Sequence, residues 1–170
     1  MDIHKNRQEE SPMSSHEIDN MQKYENYKEQ FTRLNKALKN EFYLEAIFIE
    51  YAILEDRTES IMRHAGLWDA YMKTRKGKMP NIDSKLMFIH KHAQSKRYLL
   101  SRYFADDLML QLRAWKNKRN PLIHNLLNQT LGPDDLMNLA NEGADLMKDL
   151  RNRATNHKRA LLRLEAQQGK

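Results

Sequence analysis

Apolar residues recur at intervals of three and four along most of the chain, which is the spacing of an amphipathic α-helix. A Ser-x-x-Glu capping box at residues 14–17 predicts the start of a first helix, whose apolar stripe ends near Lys39. A second and more apolar helix is predicted over residues 41–65, with Gly66 as its C-terminal cap. Its wide apolar arc indicates a central position in a helical bundle.

The rest of the chain predicts three more main helices. A short one is capped by Asp83 or Ser84, a long one covers residues 95–115, and a last one begins at Pro133 after a Gly-Pro break. Between residues 67 and 81 the helical pattern lapses, and this stretch is predicted to be a mobile basic loop. Its cations are either solvated or in contact with phosphate, and they are Lys73, Arg75, Lys76 and Lys78.

The composition is that of a single all-α domain. Hydrophobic residues make up 40% of the 170 residues, enough for a core, and the chain has only 5 Gly and 4 Pro. Residues 1–13 are predicted to be disordered and residues 14–150 to form the helical domain. Residues 151–170 are predicted to form a basic C-terminal helical extension, which is either a tail or a dimer arm. We therefore expect a helical bundle of about five main helices.

The formal net charge of +6 favours a polyanionic partner such as RNA. The chain has no cysteine, no stretch of ~20 apolar residues that would span a membrane, and no apolar segment typical of a signal peptide near residue 1. A cytoplasmic protein without membrane association is therefore expected. No Gly-rich phosphate loop, zinc-protease motif or calcium loop is present, so neither a metal nor another cofactor is predicted.

A polar stretch between two apolar patterns combines cations with a candidate helix start. Asn120 is a favoured N-cap residue and Pro121 a favoured first helical residue, so a new helix is predicted from Pro121 to about residue 128. The free N–H groups of such a helix would attract a phosphate beside Arg119. His124 would then be near enough to exchange a proton with a ribose hydroxyl. Two flanking cations are predicted to contact the RNA as well, namely Lys116 and Lys118.

The run Arg119-Asn120-Pro121-Leu122-Ile123-His124 resembles the catalytic motif of the HEPN superfamily, in which Arg precedes His by a short spacer and is often followed directly by Asn. The segment 53–66 also resembles the second helix of abortive-infection-type HEPN proteins, and the resemblance covers roughly residues 31–150.

The resemblance implies a small all-α domain that forms a homodimer, with two motifs lining one cleft. It implies a metal-independent endoribonuclease in which the ribose 2′-hydroxyl attacks the phosphate. Arg119 would orient and stabilise the phosphate, His124 would act as general acid and base, and Asn120 would fix the local geometry. HEPN toxins inactivated by adenylylation carry a tyrosine two residues after the motif His, whereas this chain has Leu126, so that mode of control is not expected.

The same loose spacing occurs twice more, from Arg57 to His64 and from Arg151 to His157. The first pair would span two turns of a buried helix, and the second is predicted to lie on a charged, solvent-facing helix end. The motif pair is preferred because it alone combines the Asn with a helix start.

Charged residues also interrupt the apolar surface of the second helix. They indicate either a salt bridge at the helix margin or support for the catalytic site. The residues assigned to this supporting set are Glu50, Asp56 and Arg57.

The function expected from these patterns is RNA cleavage in phage defence, of the abortive-infection or toxin–antitoxin kind. An antitoxin or a noncoding RNA is a possible partner. The alternative is a non-catalytic RNA-binding module that associates with a noncoding RNA or a partner protein. A third hypothesis is a protein-only helical dimer that acts as an adaptor or antitoxin.

Overall fold

The computed structural model describes residues 20–95, 99–126, 128 and 132–168, and these residues form seven helices and no strand. The all-α prediction is confirmed. The predicted disorder of residues 1–13 and the predicted helix start at 14–17 lie outside the described residues. The helices are α1 (Asn20–Lys39), α2 (Tyr43–His64), α3 (Trp68–Arg75), α4 (Ile82–Ala93), α5 (Ser101–Phe104), α6 (Leu108–His124) and α7 (Pro133–Gln168).

Helix α2 lies at the centre and packs against α1, α4 and α7. Its largest contact is with α7, and the two helices run parallel, because Glu50 lies against Gly143 and His64 lies near His157. The predicted cap is confirmed, since Gly66 follows α2 with a positive φ of 67° that other residues rarely adopt. The largest side chains of the core are Trp115, Tyr71, Phe104, Leu34, Ile47 and Leu54.

The predicted loop over residues 67–81 is wrong in its first half, because α3 occupies Trp68–Arg75. This helix is too short to show a periodic apolar stripe, but Tyr71 anchors it. The Tyr71 side chain is 1% exposed, packs edge-on against Phe88, and its hydroxyl lies 2.7 Å from the Ser84 hydroxyl. A single buried aromatic ring therefore fixes a helix that the pattern does not reveal.

Helix α4 begins at Ile82, before both predicted caps, so its N-cap is neither Asp83 nor Ser84. The side-chain oxygen of Asn81 accepts a hydrogen bond of 2.9 Å from the Ser84 backbone N–H. Asp83 is thereby left to bind cations of another helix.

The long helix predicted over residues 95–115 is interrupted. Four residues form α5, and a second helix starts at Leu108, whose backbone N–H donates to the Asp106 carboxylate at 3.3 Å. The final helix is longer than predicted, since α7 is one helix of 36 residues that includes most of the basic C-terminal extension. Within the described part of the chain, no helix combines the length and the apolar character that crossing a membrane requires.

Candidate functional site

The predicted helix start at Asn120 and Pro121 is wrong. Helix α6 runs without a break from Leu108 to His124 and contains Pro121 in its last turns. The chain stays helical because Leu122 and Ile123 pack against the core, and this burial outweighs the hydrogen bond that proline cannot donate. The anion site expected from a helix N-terminus is therefore absent here, since this end of α6 presents carbonyl groups.

Arg119 is held by aromatic side chains of α2. Its guanidinium carbon lies 4.3 Å from the centre of the Tyr51 ring and 5.5 Å from the centre of the Phe48 ring. Its Nη1 donates to the side-chain oxygen of the adjacent Asn120 at 3.3 Å, and its Nε is buried without a hydrogen-bond partner among the residues that the structure describes. No carboxylate of the described residues pairs with this guanidinium.

The other three cations of α6 are paired with two acids, Asp83 and Glu142. Asp83 accepts from Arg113 at 2.9 Å and from Lys116 at 2.7 Å, which together lower the pKa of its carboxyl. Lys118 donates to Glu142 at 2.8 Å. Arg119 is thus the one cation of this helix without a protein carboxylate among the described residues.

The six residues predicted to contact RNA differ in whether their side chains are exposed and unpaired. Lys116 is 8% exposed and bound to Asp83, whereas Lys118 is exposed but shared with Glu142. Arg75 donates to the Met79 backbone oxygen at 2.9 Å and so closes the turn after α3. The remaining three cations are exposed and form no ion pair with a described residue, namely Lys73, Lys76 and Lys78.

His124 is exposed in the last turn of α6. Because Arg119 and His124 are five residues apart on one continuous helix, their side chains leave the axis in directions about 140° apart. They are also displaced by about 7.5 Å along the axis. The structure therefore brings Arg119 and Asn120 together and places Asn120 on the same helix face as His124, whereas Arg119 and His124 diverge around the helix within one protomer.

Glu50 is fully buried, and no cation in the described part of the chain pairs with it. Both carboxyl oxygens lack a hydrogen-bond partner among these residues, and burial raises the pKa of this side chain to about 9. The carboxyl group lies against Gly143 of α7 and beside the Trp115 indole, which itself donates to the Leu139 backbone oxygen at 3.0 Å. The interpretation of Glu50 as part of a salt bridge at the helix margin is wrong, since the side chain is a protonated core group near neutral pH.

Asp56 and Arg57 face α1. The Asp56 carboxylate pairs with Arg57 and lies 3.2 Å from the Lys23 ammonium, and after the opposing effect of burial these cations lower its pKa. The Arg57 guanidinium lies 3.8 Å from the centre of the Tyr27 ring. Burial raises the pKa of Tyr27 to about 12. These residues form an ion pair at the α1–α2 contact, while Arg119 meets α2 through Phe48 and Tyr51.

In the other spacing match, from Arg151 to His157, the histidine does not face the solvent as predicted. His157 is 1% exposed, packs edge-on against Tyr103 and Phe104, and lies close enough to His64 to interact with it. Burial first and His64 second lower the pKa of His157 to about 4. His157 is therefore a neutral core residue at physiological pH.

Sequence patterns did not single out the aromatic pair that carries Arg119. Phe48 is 49% exposed although it stands between the buried residues Ile47 and Ile49. The only signal in the sequence was a second aromatic residue, Tyr51, at i+3, which places both rings on one side of the helix.

Neither a protein-family model, a curated protein sequence nor a solved structure matches this chain.

Proposed function

We propose that this protein is a HEPN-like, metal-independent endoribonuclease that works as a homodimer in the cytoplasm. The observation that carries the proposal is the unneutralised Arg119 guanidinium, held over Tyr51 and Phe48 while its neighbours on α6 are paired with acids. An arginine without an internal counterion is a natural receptor for a phosphodiester.

The dimer supplies what one protomer lacks. Because Arg119 and His124 diverge around α6, a phosphate on Arg119 would meet His124 from a second copy. One imidazole takes the proton of the ribose 2′-hydroxyl, whose oxygen then attacks phosphorus. The bond from phosphorus to the 5′-oxygen breaks, and a protonated imidazole donates a proton to that leaving oxygen. Arg119 stabilises the charge that builds up on the phosphate oxygens, and Asn120 holds the guanidinium in place.

The test is cleavage of a mixed RNA substrate by the purified protein in the presence of EDTA. We expect His124→Ala to lose about 10²- to 10⁴-fold of the rate, because general acid–base catalysis contributes that much. His64→Ala is the matched control, since His64 is also exposed but belongs to another spacing match. Arg119→Ala is compared with Lys118→Ala, its neighbour that already has a carboxylate partner. Equal rates for wild type and His124→Ala would refute the enzymatic proposal, and cleavage that requires added divalent metal would refute the mechanism.

A non-catalytic RNA-binding module is the second candidate, and the divergence of Arg119 and His124 within one protomer favours it. Its contacts would be the exposed cations after α3, in a turn held by Arg75. Binding that weakens steeply with salt, persists in His124→Ala and is lost when Lys76 and Lys78 are neutralised would support this candidate. An antitoxin or noncoding RNA partner fits either function, and phage defence is the setting we propose for the first.

A further inference from the structure

Phe48 is an exposed aromatic ring in the second turn of the central helix α2. Its side chain is 49% exposed, and its ring centre is 5.5 Å from the guanidinium carbon of Arg119. Tyr51 holds the same guanidinium at 4.3 Å, so the arginine is fixed beside Phe48 by a second ring. A flat apolar ring next to an unneutralised cation is suited to a ligand that is itself a flat ring joined to an anion.

A cavity of about 490 Å³ lies between α1 and α2. Ala52 lines it and follows Phe48 by one helical turn, so the cavity begins about 6 Å along α2 from Phe48. The opposite wall carries the side-chain amides of Asn26 and Gln30, and the Lys23 ammonium group there is paired with the Asp56 carboxylate of α2 at 3.2 Å. Amides can donate to and accept from the edge of a nucleobase.

We infer that single-stranded RNA lies across α2, with one phosphate on Arg119, the attached base stacked on Phe48 and the next nucleotide in the cavity between α1 and α2. The inference rests on the proposed function only for the choice of RNA as ligand. A duplex is excluded by this geometry, because its bases are already stacked and paired and cannot reach the ring or the amides. Phe48 is then a positioning residue that selects unpaired RNA, and it takes no part in proton transfer.

The experiment measures binding of fluorescently labelled single-stranded RNA and of an RNA duplex by anisotropy, in the His124→Ala background so that RNA stays intact. We expect Phe48→Ala to weaken single-strand binding by about 5- to 150-fold, the range that loss of one base stack produces. Phe48→Trp should retain binding. Phe42→Ala is the matched control, because Phe42 is 58% exposed and contacts no arginine of the described residues. A second variant, Ala52→Trp, should weaken binding by filling the cavity while Phe48 is kept.

Equal affinities of the Phe48→Ala and Phe42→Ala variants for single strands would overturn the inference, and so would an equal loss for single strands and duplex. Light scattering tests whether the exposed Phe48 ring forms a contact between protein chains. A change of molar mass in Phe48→Ala with unchanged RNA affinity would assign the ring to a protein contact instead. Failure here is separable from failure of the proposed function: Phe48-dependent binding without cleavage refutes only the ribonuclease, whereas cleavage with Phe48-independent binding refutes only this inference.

Discussion

Replacing Glu50 by glutamine should remove a pH-dependent loss of stability. In the unfolded chain this carboxyl ionises near pH 4.5, whereas burial raises its pKa in the fold to about 9. Between these values the folded state binds one proton more than the unfolded state, so the free energy of unfolding falls as pH rises. The stabilisation is fully present below about pH 4.5 and is lost as pH passes through 9.

The size of the effect follows from the difference between the pH and the unfolded pKa. At 1.36 kcal/mol per pKa unit, keeping the proton at pH 7 costs about 3 kcal/mol, and above pH 9 the cost reaches about 6 kcal/mol. An amide cannot ionise, so Glu50→Gln should be more stable than wild type by about 3 kcal/mol at pH 7 and by less than about 1 kcal/mol at pH 5.

The assay is urea denaturation followed by circular dichroism at pH 5, 7 and 9, with wild type and variant compared at each pH. Glu45→Gln is the control, because Glu45 is exposed on the same helix and its substitution should change stability by a few tenths of a kcal/mol at most. Parallel stability curves for wild type and Glu50→Gln from pH 5 to 9 would refute the reasoning, since they would mean that the folded protein holds this carboxyl ionised.

Three further predictions concern the same helices. Gly143→Ala should lower the free energy of unfolding by about 1–3 kcal/mol, because the added methyl group would clash with the Glu50 carboxyl and lie 2.8 Å from the Trp115 indole nitrogen. Urea titration measures this loss, and combining the substitution with Glu50→Ala should restore most of it. His157→Phe should abolish the destabilisation that wild type suffers as pH falls from about 6.5 to 4, since the folded state resists protonation of this buried imidazole; an unchanged acid limb in thermal melts would contradict this. Pro121→Ala should raise the unfolding free energy by about 1 kcal/mol or more by restoring a helical N–H donor, whereas a neutral result would indicate that a helix does begin at Pro121.

Sequence periodicity predicted the elements that are long and amphipathic. The all-α class, the end of α1 at Lys39, the Gly66 cap and the start of α7 at Pro133 all follow from local side-chain chemistry, and the structure confirms them. Sequence periodicity failed where contacts between distant parts of the chain determine the secondary structure. Helix α3 depends on one buried tyrosine.

The candidate site shows the same limit. The sequence identified Arg119 and its neighbour Asn120, but local capping rules placed them at the wrong end of a helix, because the packing of Leu122 and Ile123 was not visible in the pattern. For Glu50 the sequence left a salt bridge and a supporting role open, and only the packing against Gly143 and Trp115 shows that this carboxyl has no hydrogen-bond partner among the described residues. Which cations keep their charge free also depends on contacts between helices that are distant in sequence.

The ion pairs between α6 and the acids of α4 and α7 affect how many cations of α6 a salt titration of RNA binding would detect. Such a titration counts the counterions that leave the RNA when protein cations neutralise its phosphates, about 0.7 for each single-strand phosphate. Arg113, Lys116 and Lys118 already carry Asp83 and Glu142 as tethered counterions, which an incoming phosphate must outcompete at high effective concentration. Helix α6 carries four cations against these two carboxylates, so it would contribute to the salt slope as about two cations.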